Sequence, residues 1–140
     1  MMTIGRTFTL VAGLAPVLAP AGAARGSEPL TPQVLEEDSL RPLRWQARPV
    51  VVLGEGDTAR AQIETLQGGS VALSDRDVIL FVDGPGAARF RDEVGDGFAV
   101  LLIGKDGGVK MSRKQPVTVE DITGLIDTMP MRQREEAEED

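Results

Sequence analysis

The chain has 140 residues, with 15 Lys and Arg against 22 Asp and Glu, a formal net charge of −7, and neither cysteine nor histidine. That composition removes the thiol nucleophile, the imidazole base and the usual zinc ligands, so self-contained Ser-His-Asp, Cys-His, thiol-disulfide oxidoreductase and thiol peroxidase chemistries are excluded. The acidic balance disfavours nucleic acid, whose phosphates require basic partners, and the core has to hold without disulfides.

Arg6 supplies a short basic start, and "FTLVAGLAPVLAPAGA" follows as an apolar run ending in Ala21-Gly22-Ala23. Pro16 and Pro20 interrupt the run, and the small residues form an A-x-A cleavage pattern. Residues 1–23 therefore read as a cleavable signal peptide, cut after Ala23, which implies a periplasmic or secreted protein with no transmembrane segment once cleaved. Residues 24–47 are polar and Pro-rich, with Thr31-Pro32 placed to start a single helical turn through Glu37. Trp45, the only tryptophan, is expected to be a packing anchor beside the first strand.

The folded domain is expected over 48–131. Val50 to Leu53 is a β-branched run bounded by Pro49 and Gly54, the pattern of a strand buried on both faces. Ala59, Ile63 and Leu66 then share one helical face, Asp57 or Thr58 is placed to cap it, and Gly68-Gly69 should weaken or end the helix. Val78 to Val82 is a second buried strand, which completes a right-handed βαβ unit. "DGPG" breaks the chain at 83–86, and Ala87, Phe90 and Val94 mark a short helix. Phe98 to Ile103, the "KDGG" turn and Val109 to Met111 make a hairpin whose second strand is short and charged, as sheet edges are. Pro116 and Thr118 open a last helix with Asp121 at the capping-box position and Val119, Ile122, Leu125, Ile126 and Met129 on one face. Pro130 should stop it, "MPMR" closes the core behind it, and 132–140 reads as a charged disordered tail.

The predicted fold class is α/β and thioredoxin-like: a four-stranded mixed sheet, made of a parallel βαβ pair plus an antiparallel hairpin, flanked by three helices. The first and last helices lie on one face and the middle one on the other. "LLIGKDGGVK" is similar to the strand-turn-strand of peroxiredoxin-like members of that superfamily. "LRWQARPVVVL", "RDVILFV", "DGFAVLLIGKDGGVK" and "IDTMPMRQRE" together resemble the DUF4174 family, over about Leu40 to Glu135. That resemblance implies a small exported protein, akin to domains of some secreted animal matrix proteins, with a thioredoxin-like fold and no assigned activity. Two departures from redox members matter. The loop that would carry their dithiol is "GEGDT", Gly54 to Thr58, and the position of their cis-proline is "VGDG", Val94 to Gly97.

Several residue groups invite chemistry. Gly54 to Ala59 matches G-x-G-x-x-A, and Asp83 stands where a ribose-binding acid would; against nucleotide binding, Glu55 and Asp57 would repel a pyrophosphate. Asp75, Asp77, Asp83 and Asp96 could converge on calcium, although turn and cap roles account for them without a regular ligand spacing. Lys105, Lys110, Arg113 and Lys114 form the basic cluster of the folded part. They are the candidate partner-binding residues, for an anionic protein segment of the cell envelope adding to the sheet edge; the alternative is that they protect that edge from aggregation. The expectation is an exported, redox-inactive binding or scaffold module with no catalytic residue, metal or cofactor assigned. The alternative is a small-molecule enzyme using carboxylates or Lys105 and Lys110.

Overall fold

The computed structural model describes residues 30–139. The proposed signal segment and its cleavage site lie outside the described residues. The sheet contains β1 (Gln33–Val34), β2 (Arg48–Leu53), β3 (Val78–Val82), β4 (Ala99–Ile103) and β5 (Val109–Arg113). Their order across the sheet is β1-β3-β2-β4-β5. β2 and β3 are parallel, and β4 runs antiparallel to both β2 and β5. The helices are α1 (Asp57–Gly68), α2 (Ser70–Asp75), α3 (Ala88–Val94), α4 (Val119–Asp127) and α5 (Pro130–Glu139).

Alternation along the central strands divides the core into two layers. Val50 and Val52, with Leu80, Val100 and Leu102, face Leu66, Leu73, Ile122 and Ile126 from α1, α2 and α4. Val51 and Leu53, with Phe81, Leu101 and Ile103, face Phe90 and Val94 of α3. The expected arrangement of first and last helices on one face therefore holds. α4 begins with the expected capping box, in which Thr118 and Asp121 satisfy each other's backbone N–H. α1 differs in detail: Gly56 is its N-cap, and Asp57 instead pairs with Arg60 at 2.6 Å.

The sheet has five strands where four are expected. Instead of a helical turn after Thr31, Gln33 and Val34 pair in parallel with Phe81 and Val82. Leu35 is fully buried, donates its N–H to Val82 O at 3.0 Å and accepts from Gly86 N–H at 2.8 Å. A Cβ at Gly86 would collide with the Glu36 carbonyl, so the close approach depends on glycine there. Leu30 also joins the core, its carbonyl held by Gln67 Nε2 at 3.0 Å. Residues 30–47 of the polar segment are thus built into the domain. It covers an edge of β3 that would otherwise leave backbone groups unpaired.

Two further expectations change. Trp45 is 57% exposed, in the left-handed region at φ 67°, and not a packing anchor. The helix from Val119 does end before Pro130, at Asp127, but Pro130 does not begin a disordered tail. It opens α5, so the charged segment expected to be disordered is helical through Glu139. Pro is well tolerated at a first helical position, where its missing N–H has no partner to lose.

Candidate functional site

The loop after β2 lies beside the ends of β3 and the start of β4. Gly54 N–H donates to Asp83 Oδ2 at 2.9 Å, and Arg91 Nη2 donates to the same oxygen at 2.9 Å. Arg91 Nη1 reaches the carbonyls of Gly95 and Gly97 at 2.7 and 2.8 Å. Asp83 is therefore engaged in closing this end of the sheet, away from any ribose-binding role. The antiparallel β2–β4 pairing also departs from the parallel sheet on which dinucleotides bind. Beside the loop is a groove of about 340 Å³, lined by Asp57, Thr58, Gln62, Thr65, Pro116 and Val117. Gln62 is buried and bonds both backbone groups of Val117, donating to its carbonyl at 2.9 Å and accepting its N–H at 2.7 Å. That pair of hydrogen bonds fixes the loop before α4 against α1.

The basic cluster of the hairpin is split. Lys105 and the 105–108 turn stand at one end of β5, whereas Arg113 and Lys114 stand at the other, about 16 Å away at the usual rise for five strand residues. Lys105 is buried, with Nζ 2.9 Å from Asp77 Oδ2 and 2.6 Å from Glu135 Oε2. Lys110 pairs with Asp106 at 2.9 Å. The Gly108 N–H and then Lys110 hold the Asp106 carboxyl below its ordinary range. Lys114 donates to the carbonyls of Val94 and Asp96 at 2.6 and 2.7 Å. Among the described residues the Arg113 side chain has no hydrogen-bond or ion-pair partner and is exposed. Three of the four candidate partner-binding cations are thus engaged within the fold.

A charged network that sequence reasoning missed lies at the Lys105 end. Arg48, at the start of β2 and 1% exposed, grips both oxygens of Glu135 at 3.3 Å and donates to Arg76 O at 2.8 Å. Arg76 binds both oxygens of Asp127 at 2.8 and 3.0 Å, and buried Arg132 reaches Asp75 Oδ2 at 2.8 Å. Burial pushes the Glu135 carboxyl up, but Lys105 and Arg48 outweigh it and hold the group below its ordinary value. The Arg76 guanidinium does the same for Asp127, and Asp127 in turn raises Arg76. These residues pin α5 to the sheet. Asp75 and Asp77 face cations here while Asp83 faces Arg91 at the other end, so the four aspartates do not converge. Among the described residues no three acidic side chains are grouped to hold a metal ion.

The model of DUF4174, a domain of unknown function, matches residues 87–135. The resemblance to DUF4174 stands. The matched DUF4174 segment runs from the turn before α3 through the hairpin and α4 into α5, and includes Lys105, Arg132 and Glu135. Among solved structures, reduced 2-Cys peroxiredoxin from Plasmodium vivax superposes with a TM-score of 0.53 at 13% identity, covering 68% of this chain and 84% of that one. A mutant thioredoxin from Halobacterium salinarum NRC-1 gives a TM-score of 0.55 at 12% identity, covering 72% and 89%. Likeness at that identity concerns the fold: the chain is thioredoxin-like, with a five-stranded mixed sheet. No curated protein matches it.

Proposed function

We propose that this is an exported, redox-inactive binding module on a thioredoxin-like fold. The observation that carries the reading is the loop from Gly54 to Thr58. It occupies the strand-to-helix connection where a redox member would carry its dithiol, yet it contains no thiol and is tied by Gly54 N–H to the Asp83–Arg91 pair. A helix N-terminus activates a thiol by favouring its anion; with no sulfur present that electrostatic advantage has nothing to act on. Lys105, the strongest lysine for acid-base work by burial, is committed to two carboxylates, which favours a structural role over catalysis. Export rests on the A-x-A pattern at 21–23.

Insulin-disulfide reduction and peroxide consumption by the purified chain test the redox reading, with no turnover expected above buffer. Turnover that persists after contaminating oxidoreductases are removed contradicts it. Mass analysis of the exported protein tests the leader: a start at Ala24 is expected, and an intact Met1 on exported protein overturns cleavage.

A further inference from the structure

On the face of the sheet covered by α3, near the Lys105 end, is a cavity of about 240 Å³. Leu40, Leu43 and Ala47 line it from the segment before β2, and Pro49 and Ile103 from the sheet. Arg41, Arg44 and Arg89 also line it, with Glu37 as the one acidic residue. Gly104 and Gly107 of the hairpin turn complete the rim.

The arginines are what make this cavity unusual on an acidic chain. Arg48, Arg60, Arg76, Arg91 and Arg132 are each paired with a carboxylate. The guanidinium groups of Arg44 and Arg89 have no hydrogen-bond or ion-pair partner among the described residues. Arg41 has only Asp38 at 3.7 Å, with both side chains more than four-fifths exposed. Each unpaired guanidinium is nonetheless positioned. The Arg44 group lies over Gly107, where a Cβ would come within 3.0 Å of it, and Gly107 has φ +89°. The Arg89 group sits 5.1 Å from the centroid of the Phe90 ring. Arg113 and Arg134 are exposed, as Arg44 and Arg89 are, but neither lines this cavity.

We propose that this cavity binds a small organic oxyanion, a carboxylate or phosphate carried on an apolar body, with Arg44 and Arg89 contacting the anion and the Leu40, Leu43 and Ile103 wall contacting the body. Guanidinium groups suit such heads because their planar donors match carboxylate and phosphate geometry. The volume is just below the roughly 300–1,000 Å³ of drug-sized pockets, so the ligand is small. Trp45 follows Arg44 directly, is exposed, and is held in its left-handed conformation by an N–H bond to Lys105 O at 2.6 Å. Trp45 does not itself line the cavity; its fixed backbone holds the chain next to Arg44, which does.

The inference rests on the binding-module reading, and calorimetric titration of the purified chain separates the two. The probes are phenyl phosphate and benzoate, with benzyl alcohol as the neutral body and inorganic phosphate as the bare head. Saturable binding of phenyl phosphate or benzoate at millimolar concentration is expected, with the better anion distinguishing a phosphate from a carboxylate ligand. Benzyl alcohol and inorganic phosphate should each bind at least roughly tenfold more weakly, because each lacks one half of the recognition. R44Q and R89Q should each weaken phenyl phosphate roughly tenfold. E37Q should tighten it about twofold by removing the one repulsive charge, and this variant decides the matter if an arginine variant fails to fold. Absence of saturation by both anions, equal binding of benzyl alcohol, or unchanged affinity in R44Q and R89Q overturns the site, as does an E37Q variant that binds no more tightly. Release of phenol from phenyl phosphate by the chain would leave the site standing and overturn the non-catalytic reading instead.

Discussion

At Gln62 one buried amide holds both backbone groups of Val117, which is itself only 6% exposed. Replacing Gln62 with Leu preserves much of the volume and leaves a buried N–H and a buried carbonyl without partners. An unsatisfied buried group costs about 1–3 kcal/mol, so Q62L should lose about 2 kcal/mol or more in urea unfolding. Loss of under about 0.5 kcal/mol, the range of an ordinary surface change, would show that water replaces the amide. Gln62 had no signal in the sequence beyond its place next to Ile63 on a helix, because its partner is 55 positions away. The ion pairs of Lys105 have no local signal for the same reason. Beside Asp106 and Gly107 it looks like a turn lysine facing solvent, and only the fold brings Asp77 and Glu135 to it.

Among the elements, α5 depends most on charge. Its sequence, "PMRQREEAEE", has no apolar face. It attaches through Arg132 to Asp75 and through Glu135 to Arg48 and Lys105. Glu135 and Asp127 both have folded pKa values below the ordinary one, so the stability they contribute is complete above the carboxylate range and lost as pH falls through it. Acidification below about pH 5 should therefore release α5 first, seen as loss of amide exchange protection over 131–139 while β2 and β4 remain protected. Simultaneous loss across helix and sheet would contradict a separate attachment. E135Q removes the charge facing Arg48 and Lys105. Breaking a fully buried pair costs about 3–5 kcal/mol, and with Glu135 23% exposed the expected loss is about 2 kcal/mol. An unchanged unfolding midpoint in E135Q would mean that solvent already screens the pair.

Across the whole molecule, the elements legible in advance are those whose signals are local. The β2–α1–β3 unit announces itself by two β-branched runs around a 3.6-residue period, the hairpin by "KDGG", and α4 by a capping box. β1 and α5 depend on partners far along the chain. Two residues, Gln33 and Val34, carry no strand period, and what admits this segment is Gly84 against Val34 and Gly86 against Glu36, both far along the chain after β3. In the sequence α5 reads as a charged tail, because its attachment depends on Asp75, Arg48 and Lys105, distant along the chain. The working surfaces divide similarly. The Gly54–Thr58 end could be read from its missing thiols, whereas the cavity near Gly107 combines residues from 37 to 107 and has no motif.

Ligand contact is thus assigned to the end of the sheet opposite the loop that serves redox members of the fold. Backbone amide shift mapping during a phenyl phosphate titration tests that assignment most directly. Perturbations should concentrate in Arg41–Ala47, at Arg89 and in Gly104–Gly108. Perturbations concentrated instead in Gly54–Ala59 and Asp83, with the 104–108 turn unmoved, would contradict it.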